Sequence, residues 1–130
     1  MTAETIVILI SYVLIVISIV ALHEAIHWVF ALLFRRDPSF KFQRFFTPVI
    51  TYKNNQSDTQ NLIISASAPV ILFTAGLLIE SNSGVLVLIK IMCLANFFNL
   101  LPVTADGQMI LLSLLNIRKK RQIASSHHKK

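Results

Sequence analysis

The chain has 130 residues, 55% of them hydrophobic and 14% charged, and a net charge of +6 at neutral pH. That balance is too apolar and too poor in charge for an ordinary soluble domain. The basic residues flank hydrophobic runs instead of interleaving with aromatics on a polar face, which argues against a nucleic-acid partner, and the lone Cys93 excludes an intramolecular disulfide.

The first run, residues 5–34, is apolar apart from His23, Glu24 and His27, and Arg35-Arg36 closes it. It exceeds the roughly 20 residues a transmembrane helix needs. Met1-Thr2-Ala3-Glu4 lacks the positive start of a secretory signal, so the run is expected to stay in place as a span. Ionisable groups at membrane depth cost on the order of 2.5 kcal/mol each and usually mark a site. Here they form His23-Glu24-Ala25-Ile26-His27, the HExxH pattern of zinc hydrolases. Residues four apart stack on one helical face, so both imidazoles reach one metal ion, and Glu24 follows on the adjacent face within reach of a metal-bound water.

Residues 35–61 form a connection that carries Arg35, Arg36, Lys41, Arg44 and Lys53. Within it, Phe42 to Tyr52 is aromatic and β-branched. Two readings stand: a short extended edge able to pair with a peptide backbone, or an interfacial apolar loop whose Lys41 and Arg44 meet anionic headgroups. Pro48 restricts any strand there to an edge or a break.

The second run, residues 62–79, carries Ser65, Ala66, Ser67, Ala68, Thr74, Ala75 and Gly76, small residues that let helix backbones approach closely. It is expected to pack between the other two. The third run, residues 85–117, would reach about 50 Å as a straight helix against a hydrocarbon core near 30 Å. Asn99-Leu100-Leu101-Pro102 is the expected break, because proline removes a backbone donor and clashes with the preceding turn. Such a break is tolerated in a membrane where it is buried in protein or lines a wet cavity. A basic tail, 118–130, follows, with His127 and His128 near its end.

These elements predict an all-α membrane protein: one integral domain over 1–130, three transmembrane helices, the third broken near Asn99–Pro102, and a short β segment in the first connection. With three crossings, eleven of the twelve Lys and Arg residues fall on one side and only Lys90 on the other. The positive-inside rule then places the amino terminus outside and the carboxy terminus in the cytoplasm.

A catalytic zinc usually takes three protein ligands plus water. Among the remaining acidic residues only Asp106 lies within a predicted span. It sits eleven residues before Ile117, as His23 sits eleven before Phe34, so the two arrive at similar depth. Asp106-Gly107 also reads as a helix cap or turn, with Gly107 letting the backbone swing, and the two roles can coexist.

Two motifs, His23-Glu24-Ala25-Ile26-His27 and Asn99-Leu100-Leu101-Pro102-Val103-Thr104-Ala105-Asp106-Gly107, together resemble those of the site-2 protease family of intramembrane zinc metalloproteases. The resemblance implies a three-helix catalytic core with a strand-forming segment beside it. It implies Zn2+ held by His23, His27 and Asp106, Glu24 as general base, and Asn99 as a substrate-positioning residue. The implied activity is hydrolysis of transmembrane or membrane-associated peptides near the cytoplasmic side. The implied partners are that substrate and the lipid bilayer, with a second copy or an accessory membrane protein as a further partner. One departure is visible: three residues separate Pro102 from Asp106 where the family usually has four. In a continuous helix, one missing residue turns a side chain by about 100°. The short spacing favours the alternative, a non-catalytic membrane binding or regulatory protein of the same fold, an immunity-type partner for example. Glu24 opposes it, because metal binding alone needs only the other ligands. A transporter subunit has less support, since three spans enclose a pathway only by oligomerising.

Overall fold

The computed structural model describes residues 2–42 and 48–127. Arg44, most of the Phe42–Tyr52 segment's first half, His128 and the last two lysines lie outside the described residues. In chain order the elements are α1 (Ala3–Leu33), β1 (Ser39–Phe42), β2 (Pro48–Thr51), α2 (Asp58–Leu78), α3 (Gly84–Ala95), a 3-10 turn (Asn96–Leu100) and α4 (Ala105–His127). The chain is mainly helical. Two helices, α1 and α2, are long and apolar enough to cross a membrane, and the α3–α4 pair, bent by 40° at its break, makes a third candidate.

Helix α1 opens at Thr2, whose hydroxyl accepts the Thr5 N–H at 3.4 Å. Over 31 residues it extends about 46 Å, longer than a hydrocarbon core of about 30 Å. None of its most apolar stretch is buried, and Ile6 to Ile10, Val13, Leu14 and Ile17 all face outward. A helix apolar around its circumference suits lipid, where an aqueous surface would demand a polar face. Only its last third packs inward, through His23, His27 and Ala31.

The end of α1 is sharply defined. Arg35 takes the left-handed conformation (φ 55°), the Arg36 N–H bonds the Ala31 carbonyl at 2.9 Å, and the Arg35 N–H bonds the Leu32 carbonyl at 2.8 Å. This is a Schellman stop, built on arginine where glycine is usual. It turns Arg36 inward, to 1% exposure. Its guanidinium donates to Gln60 Oε1 (3.0 Å), the Lys53 carbonyl (2.9 Å), Asn61 Oδ1 (3.1 Å) and the Ser57 carbonyl (3.4 Å). One side chain thereby ties the start of α2 and the segment before it to the end of α1.

The connection holds a two-stranded antiparallel hairpin, with Ser39 opposite Thr51, Phe40 opposite Ile50 and Lys41 opposite Val49. The expected extended edge is therefore β2, and β1 is its partner.

Helix α2 is central and packs against α1, α3, α4 and the 3-10 turn. Of its small residues Ser65, Ser67, Ala68 and Gly76 are buried, together with Asn61, Ile64, Pro69 and Leu72, whereas Ala66 and Ala75 are half-buried and Thr74 faces outward. A Cβ on Gly76 would come within 2.9 Å of both Cys93 Cβ and the Leu94 nitrogen, so the α2–α3 approach requires glycine. Cys93 is a buried packing residue. Lys90 reaches back to the Ile79 carbonyl at the end of α2, 3.0 Å away. That contact satisfies a carbonyl the helix end leaves free.

The third run breaks over residues 96–104, a wider interruption than Asn99–Pro102 alone. The basic tail is helical over its described part, where α4 continues through Arg118–Arg121 to His127. Asn116 and Lys120 on α4 both bond the Asp58 carboxylate at the start of α2.

Candidate metal centre

His23 and His27 lie one turn apart on the inward face of α1, 9% and 6% exposed. Asp106 reaches the same point from the first turn of α4. Its Oδ2 lies 3.0 Å from His23 Nε2 and 3.2 Å from His27 Nε2, and the two Nε2 atoms are 3.1 Å apart. Among the described residues this is the group of three side chains able to share a metal ion.

The shortened spacing does not separate Asp106 from the histidines, because the segment after Pro102 is not helical. Leu101 is extended (ψ 145°), and a turn from the Leu101 carbonyl to the Thr104 N–H follows it. Thr104 caps α4: its hydroxyl accepts the Gly107 N–H at 3.2 Å and lies 3.0 Å from the Asn99 carbonyl. Capping by a hydroxyl leaves the Asp106 carboxylate free for the histidines, so the cap reading falls on Thr104 and not on Asp106. The role expected of Gly107 changes too. Its φ is not positive. A Cβ there would lie 1.7 Å from the Leu101 carbonyl oxygen, so glycine is needed for close approach rather than for a special backbone angle.

The outer nitrogens of both rings settle their tautomers. His27 Nδ1 lies 2.8 Å from the Ile64 carbonyl, which can only accept. His23 Nδ1 lies 2.7 Å from Asn96 Oδ1, and the Asn96 amide nitrogen is turned to the Met92 carbonyl at 3.0 Å. Both Nδ1 atoms therefore carry the proton and donate. In the neutral rings both Nε2 lone pairs then face each other and a carboxylate oxygen. One added proton bridges a single edge of that triangle, whereas a metal ion satisfies all three. Four-coordinate zinc with bonds of 2.0–2.1 Å spaces its ligands about 3.3 Å apart, close to the separations here. Donor type, tautomer and spacing all fit zinc.

Glu24 stands beside this triangle with its Oε2 accepting the Ile50 N–H at 3.0 Å. That bond fixes which way β2 faces. If the Ile50 N–H points to Glu24, residues 49 and 51 turn their amides toward β1, and the alternate backbone groups of β2 look toward α1. The Lys53 N–H, bonded to the Arg36 carbonyl at 2.8 Å, follows the same alternation.

A cavity of about 610 Å³ opens over the triangle, walled by α1, β2, α2 and the broken segment; Glu24, Ile50, Tyr52, Asn99 and Asp106 line it. The Asp106 side chain is 24% exposed and forms the open side of the ligand set. Burial pushes the Tyr52 phenol up from its ordinary value. Asn99 lines the cavity and donates to Asn96 Oδ1 at 3.3 Å.

Four contributors escape a residue-by-residue reading of the sequence: Asn96, Thr104, the Ile64 carbonyl and the Ile50 N–H. Asn96 has a signal, since an asparagine deep in an apolar run invites the same question as Asp106. The two backbone groups have none, because every residue carries them.

The family model DUF3267, described as "Putative zincin peptidase", matches residues 7–122. No curated protein and no solved structure matches the chain.

Proposed function

The chain belongs to family DUF3267, the putative zincin peptidases, and on that premise we propose that it is an intramembrane zinc endopeptidase of the site-2 protease type. One observation carries the reading. Two imidazoles with both Nδ1 atoms committed as donors turn their Nε2 atoms and one carboxylate oxygen to a common point inside an apolar helix bundle.

In this reading His23, His27 and Asp106 hold the metal and Glu24 is the general base. Zinc, when bound, supplies a Lewis acid that lowers the pKa of water and polarises a carbonyl oxygen. Glu24 takes the proton of the attacking water on its carboxylate and delivers it to the nitrogen of the departing amine. Its carboxylate lies on the cavity side of α1, beside the backbone of β2. A substrate helix must unwind before a peptide bond is accessible, and an extended segment laid along β2 would have backbone partners there. Asn99, which lines the cavity, would hold the substrate backbone. The substrate is a transmembrane or membrane-associated peptide, reached from the lipid that α1 and α2 face. We place the site toward the cytoplasmic side on the charge distribution.

Purified protein tests the reading with zinc analysis and cleavage of a co-reconstituted membrane peptide. Glu24→Gln is expected to keep zinc at wild-type stoichiometry and to cleave at least about 100-fold more slowly, the usual range for a general base. His23→Ala or Asp106→Ala is expected to lower the metal content as well. A wild-type protein without zinc, or a Glu24→Gln variant with full activity, would overturn it. A wild-type protein that cleaves no membrane peptide, with a biological effect that survives Glu24→Gln, would favour the non-catalytic membrane binding protein.

A further inference from the structure

We propose that Asn96 is a positioning residue that sets the zinc affinity of the centre by holding His23 in the tautomer that presents Nε2. The proposal rests on the zinc reading above.

Asn96 begins the 3-10 turn at the break of the third run and is 7% exposed. Nothing about the turn requires an amide side chain there, and in an apolar span an unpaired amide is costly. Here the group is fully used. The Nδ2 group donates to the Met92 carbonyl one turn back, at 3.0 Å, which fixes the side chain's rotation. Oδ1 then faces α1 and accepts from His23 Nδ1 at 2.7 Å, the shortest of the contacts around the two rings. The Asn99 amide donates to the same oxygen at 3.3 Å and closes it on the cavity side.

The two histidines are thus supported differently. His27 rests on a main-chain carbonyl, Ile64, that no side-chain substitution removes. His23 depends on one side chain from another element. Without that acceptor, the His23 ring is free to move its proton to Nε2. There the proton would donate to Asp106 Oδ2, 3.0 Å away, and occupy the edge the metal needs. Asn96 therefore acts through His23, not on the reacting atoms.

The test uses the full chain in detergent or nanodiscs, with zinc affinity read by competition against a chromogenic chelator. Asn96→Leu keeps the volume and removes the acceptor. It is expected to bind zinc 10–100-fold more weakly, the usual effect of losing a partner behind a ligand. Asn96→Asp gives up the donor to the Met92 carbonyl but keeps an acceptor oxygen for His23, and is expected to restore most of the affinity, which a merely space-filling role would not do. Long-range proton–nitrogen spectra of histidine-labelled wild-type protein with zinc give a readout that needs no substitution. His23 is expected to carry its proton on Nδ1 with Nε2 metal-bound. An Asn96→Leu protein that binds zinc as tightly as wild type, or a wild-type His23 unprotonated at Nδ1, overturns the proposal while the zinc reading stands. If Asn96→Leu does not fold, the wild-type spectra decide alone. A wild-type chain that takes up no zinc overturns both.

Discussion

The three proposed ligands differ in how they are held. His23 and His27 are fixed by helical spacing and by acceptors on their outer nitrogens. Asp106 is held by the backbone that delivers it, and Gly107 is the critical atom count in that delivery. A methyl at position 107 would overlap the Leu101 carbonyl, so Gly107→Ala must push the broken segment and α4 apart. Overpacking of this kind typically costs 1–3 kcal/mol, and the displaced carboxylate is expected to weaken metal binding. Gly84→Ala is the control, because a Cβ there meets only the Tyr12 hydroxyl at 3.8 Å. Thermal unfolding and zinc retention on dialysis against a weak chelator are expected to fall for the first variant and not for the second. Equal behaviour of the two would show that the close contact at 107 is not a constraint.

The break between α3 and α4 is the element that brings Asp106 from the third candidate span to the two histidines. Helix α3 ends at Ala95, well before the proline; Thr104 starts α4, and the cap defines where Asp106 stands on the new first turn. Thr104→Ala is expected to cost about 1 kcal/mol, as loss of a helix cap does, and to loosen Asp106 enough to lower zinc affinity. Thr104→Ser keeps the hydroxyl and is expected to keep both. Chemical unfolding with parallel zinc titration separates the cases, and a wild-type affinity in Thr104→Ala would dissociate the cap from the ligand. The existence of the break is readable in the sequence, since a helix of 33 residues is too long for a bilayer and contains Pro102. Its extent is not. The 3-10 turn begins six residues before the proline, in Asn96-Phe97-Phe98-Asn99, where no residue type forbids α-helix. The hairpin was similarly half visible: Val49, Ile50 and Thr51 are strand formers. The partner Ser39–Phe42 follows from the turn at Arg35 and Asp37, both in left-handed conformations that their side chains do not advertise.

The molecule as a whole leaves most of its apolar surface uncovered, with the core confined to the seam around α2. That is the arrangement of a chain whose helices have lipid as solvent, where small residues and polar contacts hold helices together because hydrophobic burial between them gains little. Arg36 shows the polar part. It is a buried guanidinium, held by amide and carbonyl oxygens, that fastens β2's trailing segment and α2 beside the cavity. The orientation we propose follows the positive-inside rule and is tested with single cysteines and a membrane-impermeant thiol reagent. Cys93, 3% exposed, stays silent as background. Ser81→Cys, between α2 and α3, is expected to label in intact cells, and Ser126→Cys near the end of α4 only after permeabilisation. The reverse pattern would invert the topology.

Residue order alone determined the class of this protein and the three side chains that meet. Spans are set by apolar length, facing is set by a spacing of four, and depth is set by distance from the basic ends of the runs. All three are local properties of a helix in a bilayer. What the tertiary structure decided is how the meeting is made exact: Asn96 and the Ile64 carbonyl behind the histidines, Thr104 and Gly107 behind Asp106, and the Ile50 N–H on Glu24. The contacts behind the histidines and on Glu24 join segments far apart in the chain, leave no pattern of spacing to read, and exist only once the helices have packed. Those behind Asp106 are local to residues 99–107, but they turn on the extended backbone at Leu101, which is a matter of conformation and not of spacing.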